Sequence, residues 1–300
     1  MTAVKQYRDY DDLIDLLIHR GMDVGDRLQA TQELQRVSYY RLSGYWYPFR
    51  KLENAARQDD FYPGTTLTAV LDLYRFDQGL RSMTFAALGS IELAVRASLG
   101  HALGALDECA HLRRDRLGPI AQGDAYDEWA AKLEKSQNES REDFVDHHAR
   151  KYGGTLPVWV AVELLDWGSL TRLYNFAPRA TQDQIAGEFG LSAPQLGSWL
   201  KSLNVVRNVC AHHGRFFNRV FAIAPKLPSP GRFPGLDECG PFTRAFGHLS
   251  MIQFLLEQRG IGRLAVLPAV LKGFPTMPTV NITHLGAPPN WSELALWGSS

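Results

Sequence analysis

The chain has 300 residues, and its Lys plus Arg total of 32 equals its Asp plus Glu total of 32, for a formal net charge of zero. That balance argues against a global electrostatic grip on nucleic acid and leaves only a local basic patch, which pairing of two copies would enlarge. Hydrophobic residues make up 45%, ample for a core, and the three cysteines (Cys109, Cys210, Cys239) lack the even count and C-x-x-C pairing of a disulfide framework or zinc site. Residues 1–12 are polar and charged, unlike a signal peptide, and no apolar run approaches membrane-spanning length. The expectation is a soluble, cytoplasmic protein without membrane contact.

Residues 11–19 read as a helix with Leu13, Ile14, Leu16, Leu17 and Ile18 on a broad apolar face, stopped by Gly21. Asp26 caps a second helix running to about Tyr40. Helix, turn, helix is one way to read DNA, but Arg27 and Arg36 are its only basic residues, so packing is the preferred role. Tyr39, Tyr40, Tyr45, Trp46, Tyr47 and Phe49 form an aromatic cluster that could stack bases and is read as fastening these helices to the main body. Residues 52–64, with Pro63-Gly64, read as a loop. Thr65 or Thr66 then caps a long helix from Leu67 to about Leu103. Asp77/Arg81 and Glu92/Arg96 are i, i+4 pairs in it, read as structural; on its inner side Glu92 and Arg96 would instead help shape a pocket.

Residues 104–124 are loop-rich, 126–133 helical, and 135–142 a charged, solvated stretch. Residues 158–167 are so apolar that a buried helix is expected, and Glu163 inside it would need a cation, Arg207 or Arg96. Further helices are expected at 181–189, 242–258 and 264–272, with a Pro- and Gly-rich connector over 224–241 and a tail docked by Trp291 and Trp297.

The densest chemistry lies in residues 205–219, Val-Val-Arg-Asn-Val-Cys-Ala-His-His-Gly-Arg-Phe-Phe-Asn-Arg. Ser192 and Pro194 open a helix that should run to about His213, with Gly214 as its stop. Leu203, Val206, Cys210, His213 and Phe217 share an apolar stripe, which predicts a buried His213. Asn208 and His212 face the other side, and His212 is the candidate for proton transfer because imidazole titrates near neutrality. The same residues also suit a solvated helix end favoured by the helix dipole. Arg207 is the candidate cation, although positions five apart are separated by roughly 140° on one helix. A bent helix end, or two such helices meeting across a two-fold axis, would bring Arg207 and His212 together.

The R-N-x-x-x-H run at Arg207–His212, with His213 and Arg215-Phe216-Phe217-Asn218-Arg219 after it, resembles the R-x4-6-H signature of HEPN-superfamily proteins. More closely it resembles the Abi-like abortive-infection family of the AbiD/AbiF type. The resemblance extends to Tyr39-Tyr40-Arg41-Leu42-Ser43-Gly44-Tyr45, to 73–81, to 91–96, and to Pro157-Val158-Trp159 with Glu163 and Trp167-Gly168-Ser169-Leu170. The closing Gly286-Ala287-Pro288-Pro289-Asn290-Trp291 also resembles that family.

What the resemblance implies is an all-α protein with a HEPN-like helical bundle over 65–220, an N-terminal helical extension over 1–64 and a C-terminal docked helical tail over 221–300. It implies an endoribonuclease in phage defence or toxin action that needs no metal or cofactor. Arg207 would hold the scissile phosphate and His212 would act as general base or acid, supported by Asn208, His213, Glu163, Glu92 and Arg96. Arg215, Asn218 and Arg219 would contact RNA. Implied partners are RNA and a second copy of the chain, with an antitoxin or regulatory RNA left open. Two other readings stand beside it: a non-catalytic RNA-binding or dimerisation module, and a DNA-binding regulator using the N-terminal helix pair.

Overall fold

A computed structural model describes residues 4–298; the first three residues of the polar N-terminal stretch and the last two of the tail lie outside the described residues. Fourteen helices and one two-stranded sheet make up the regular structure of those residues, an all-α class. In chain order they are α1 (Tyr10–His19), α2 (Arg27–Val37), α3 (Tyr39–Trp46), β1 (Arg50–Glu53), β2 (Ala56–Phe61), α4 (Leu67–Gly104), α5 (Asp124–Glu139) and α6 (Asp143–Tyr152). Then follow α7 (Val158–Ala161), α8 (Trp167–Phe176), α9 (Arg179–Gly187), α10 (Ala193–Ala211), α11 (Pro234–Asp237), α12 (Ala245–Arg259), α13 (Val266–Lys272) and α14 (Ala295–Gly298).

The 38-residue α4 is the axis of the molecule, about 57 Å long at 1.5 Å per residue. Thr66 starts it, its hydroxyl accepting from the Ala69 N–H at 3.0 Å. Helices α3, α7, α8, α9, α10, α12 and α13 all pack against it. The approach of α7 is close because Gly100 faces it: a β-carbon there would sit 3.0 Å from the Trp159 Cα. One continuous core runs from Ile14 and Trp46 through Leu88 and Leu203 to Trp297. Tyr45, Trp46 and Phe49 are buried and fasten α3, as their aromatic clustering predicts, while Tyr40 stays exposed. The tail docks through Trp291 and Trp297 around Phe246, with the Trp297 indole N–H donating to Ser250 Oγ at 3.1 Å.

Several local expectations are corrected. Residues 52–64 are not all loop, because β1 and β2 form an antiparallel hairpin. Its two turn residues, Asn54 and Ala55, both have positive φ (49° and 63°), as a two-residue type I′ turn requires. The second helix does not reach Tyr40; Ser38 turns the chain at φ 70° and its hydroxyl accepts from the Arg41 N–H to start α3. The expected helix over 158–167 is a four-residue helix, a 3-10 turn at Val162–Leu164, and a fresh start at α8. Two groups enforce that break. The Arg96 guanidinium donates to the carbonyls of Val162 and Leu165, and the Asp166 carboxylate accepts from the Ser169 N–H at 2.7 Å. In the other direction, α5 continues to Glu139, through most of the 135–142 stretch read as merely charged.

His111 is buried, and its ring Nδ1 has no hydrogen-bond partner. Burial drives its pKa down to about 4. Burial also lowers His248 and His284. The folded chain thus prefers neutral imidazole, so on acidification the unfolded chain binds protons first. Stability is complete above about pH 6.5 and is lost as pH falls toward 4, by about 3 kcal/mol for His111. Thermal melts across this window should show a falling midpoint, and a His111→Phe variant should flatten the fall; an unchanged pH slope in the variant would refute the assignment.

Candidate functional site

The site is built on the last turn of α10. Ser192 opens this helix, its N–H donating to the Gln195 side chain at 2.9 Å, with Pro194 in the first turn. Leu196, Trp199, Leu200, Leu203, Val206 and Cys210 bury one side against α4, α8, α9 and α12. Burial, with Asp77 nearby, pushes the Cys210 thiol up to about 12, so it is a packing group and not a thiolate nucleophile.

The helix ends one residue earlier than Gly214 would suggest. His212 is the C-cap, and its N–H donates to the Asn208 carbonyl at 3.0 Å. His213 takes the left-handed conformation (φ 55°) that glycine usually supplies. The Gly214 N–H returns to the Val209 carbonyl at 2.8 Å and the His213 N–H to Cys210 at 3.3 Å, which completes a Schellman motif. Gly214 follows in tight contact, since a β-carbon there would lie 3.3 Å from the Val209 carbonyl oxygen. The chain therefore leaves the helix before His213 can join the apolar stripe. His213 is exposed, not buried as its spacing predicts.

The segment after the helix is pinned by side chains from distant elements. Arg41 of α3 donates to the His213 carbonyl at 2.7 Å. Arg215 donates to the Gly44 carbonyl. Asp77 of α4 accepts from the N–H groups of Phe216 at 3.1 Å and Phe217 at 2.7 Å, from the Tyr45 hydroxyl at 2.7 Å, and from Arg81 at 2.5 Å. Asp77 and Arg81 are buried, so this pair is a core structure and not a surface ion pair. Burial pushes the Asp77 carboxyl up, against the pull of Arg81, Tyr45 and the two amides. At Arg81 burial pulls down and is outweighed by Asp77 and Tyr45. All four partners donate to Asp77, so the carboxylate is the form this cage satisfies.

Asn218, also at positive φ (53°), accepts from Arg244 at 2.7 Å, and Arg244 donates as well to the His284 carbonyl at 2.7 Å. Arg219 uses its Nε on the Arg215 carbonyl at 2.9 Å. Arg215 and Asn218 are thus committed to the fold.

The groups left over are those of the helix end. His212 and Asn208 are exposed, and neither side chain makes a hydrogen bond among the described residues. Arg207 is half-buried and lies over the Phe85 ring of α4, 5.4 Å from its centroid. It has no carboxylate partner among the described residues, and its Nε is buried without a hydrogen bond. No hydrogen bond joins Arg207 to His212 among the described residues. Glu92 and Arg96 form an ion pair, but Arg96 spends its other bonds on the Val162 and Leu165 carbonyls, far along α4 from Asp77. Glu163 is exposed on the 3-10 turn and pairs with neither Arg207 nor Arg96; the turn that Arg96 enforces faces it to solvent. Among the described residues no three His, Cys, Asp or Glu side chains are placed to hold a metal ion, and no helix is long and apolar enough to cross a membrane.

Spacing marked Asp77 only as half of an i, i+4 pair and Tyr45 only as a member of the aromatic cluster, and it gave Arg41 and Phe85 no part in the site. A signal for Asp77 was present: it sits in the helical register of Leu73, Leu80, Thr84 and Leu88, where a carboxylate is out of place unless it is bonded. Asp77→Ala should cost about 3–5 kcal/mol by leaving Arg81 and two amides uncompensated, and Tyr45→Phe about 1 kcal/mol. Urea unfolding measures both; a loss below 1 kcal/mol for Asp77→Ala would mean that the cage is not an anchor.

A family model described as Abi-like protein matches residues 32–218. The match begins inside α2, takes in α3, α4 and α10, and ends at Asn218, the last residue of the pinned segment. The Gly286–Trp291 block lies outside it. No curated protein and no solved structure matches the chain. The family's description suggests a part in abortive infection, and with well over half of the sequence covered, the chain belongs to the Abi-like protein family.

Proposed function

We propose that this chain is an endoribonuclease of the HEPN type, acting in abortive infection or as a toxin through side chains alone. The observation that carries the reading is that one helix end, held by a loop that Asp77 pins from the core, carries both an exposed His212 and an Arg207 free of carboxylates among the described residues. His212 takes the proton of a ribose 2′-hydroxyl, whose oxygen attacks the adjacent phosphorus. The bond from phosphorus to the 5′-oxygen breaks, and that oxygen receives a proton. The products are a 2′,3′-cyclic phosphate and a 5′-hydroxyl. Arg207 offers a forked pair of donors to the phosphoryl oxygens as their charge grows. Asn208, one turn before His212, orients the imidazole or donates to a phosphate oxygen.

Arg207 and His212 stand on different sides of α10, so a complete site calls for two copies, with Arg207 of one beside His212 of the other. Arg219 keeps its terminal nitrogens for RNA. A non-catalytic RNA-binding module is the second reading: the guanidinium fixed over Phe85 would serve to hold a phosphate without cleaving it. The DNA-binding reading has less support, because Arg27 is paired with Asp15 at 2.6 Å and Asp11 at 3.4 Å, and Arg36 with Glu33 at 3.2 Å.

Purified chain should cleave single-stranded RNA in the presence of a chelator and leave cyclic phosphate ends. Arg207→Ala and His212→Ala should each slow cleavage at least about a hundredfold, and Arg207→Lys should recover only part of the loss because it lacks the fork. Cleavage by His212→Ala at the wild-type rate would exclude this mechanism, and binding without cleavage by the wild type would establish the second reading.

A further inference from the structure

The polar stripe that ends at His212 continues back along α10. Gly197, Lys201, Asn204, Asn208 and His212 fall within about 80° of one another around the helix. Lys201 and His212 are separated by roughly 16 Å along its axis. At the Lys201 end, α10 borders a groove of about 600 Å³ whose other walls are α5 and α8. Lys132, Arg172, Lys201, Asn175 and Asn204 reach into it. Its α8 wall carries the Trp167-Gly168-Ser169-Leu170 block, to which the site at His212 assigns no role.

Cationic and amide side chains supply the polar part of this groove. Lys201 is exposed and has no carboxylate partner among the described residues. Arg172 meets Glu128 only at 3.5 Å, and both are exposed; Lys132 meets Asp166 at 2.5 Å, also at the surface. Such surface pairs are weak and exchange readily for a better anion. The side-chain amides of Asn175 and Asn204 make no hydrogen bond among the described residues. At Gly168 a β-carbon would make only ordinary contacts, 3.5 Å from Asp166 Oδ1 and 3.6 Å from Asn204 Nδ2, so the Asp166 carboxylate that holds Lys132 also borders the groove. Trp129 closes the floor, 1% exposed, its indole N–H donating to the Ser169 carbonyl. No exposed aromatic or large aliphatic side chain lines the groove.

We propose that this groove binds the phosphodiester backbone of a single RNA strand and leads it along α10 to Asn208 and His212. The proposal rests on the ribonuclease reading for what happens at the His212 end; the binding does not depend on it. Lysine, arginine, amide and hydroxyl donors are the groups that contact phosphate and sugar. A cationic channel that tracks one backbone suits a single strand. Peptide grooves, by contrast, offer apolar pockets or an open strand edge, and this one offers neither. On a chain of zero net charge, an attraction of this kind must be local.

The test is fluorescence anisotropy with a short labelled single-stranded RNA and full-length protein, every variant built on His212→Ala so that the strand stays whole. Lys201→Glu should weaken binding at least about tenfold and reduce the slope of log affinity against log salt by about one. Lys201→Arg should restore both, and Lys151→Glu, exposed at the end of α6 and outside the groove, should change neither affinity nor slope beyond the wild-type scatter. Thermal melts check that each variant is folded. Equal affinity for Lys201→Glu, or no RNA binding by any form, overturns the groove. Lys201-independent binding together with cleavage by the otherwise wild-type chain overturns the groove and leaves the nuclease reading standing. Lys201-dependent binding without cleavage supports the groove and removes the nuclease. A polyglutamate peptide bound through Lys201 by a chain that ignores RNA assigns the groove to an acidic peptide and overturns the proposal.

Discussion

One carboxylate ties the molecule together. Asp77 lies on the long central helix, yet its four donors come from that helix, from α3, and from the segment after α10. Burying a charge costs several kcal/mol unless its partners satisfy it. Here the partners do so only when α3, α4 and the segment at Phe216 and Phe217 are all in place. The cage thus links the completion of the core to the placement of the helix end that carries Arg207, Asn208 and His212. Arg41 on His213 and Arg215 on Gly44 act in the same sense, from both sides of the same junction. The helix end is therefore rigid where it leaves the core and open only where its polar side chains emerge.

Most cations in this neutral chain are spent inside it. Arg96 clamps the turn at Val162 and Leu165, Arg244 joins Asn218 to His284, and Arg215 serves Gly44. Arg27, Arg36 and Arg75 meet carboxylates at the surface. Against that background, a guanidinium on Phe85 and a groove lysine, Lys201, each without a carboxylate partner among the described residues, are informative, since both lie on the helix that ends in His212.

The fold was legible where local rules decide it. Asp26, Thr66 and Ser192 start helices because their side chains, or a reciprocal glutamine, satisfy free N–H groups within a turn. The extent of α4 and the docking of Trp291 and Trp297 follow from apolar spacing. What spacing could not show is where tertiary bonds override it. Gly214 looks like the helix stop, but the turn sits at His213, whose carbonyl Arg41 holds. Apolar residues around Glu163 suggest one long buried helix, but Arg96 takes the carbonyls that would continue it. An i, i+4 pair reads the same on a surface as in a core, so Asp77/Arg81 and Glu92/Arg96 looked alike, although only the first anchors the site. The hairpin at 50–61 escaped notice because its strands are charged and do not alternate. Of the candidate site, Arg207, Asn208 and His212 were legible as unusual groups on a helix end; the cage that fixes them comes from residues more than a hundred positions away.

The most direct test of this account is to map RNA 5′-hydroxyl ends in bacteria expressing the wild-type chain and, at equal protein level, His212→Ala. The nuclease reading predicts new ends and arrested growth with the wild type, both lost in the variant. The same new ends in both strains, or growth arrest that persists in the variant, would contradict it.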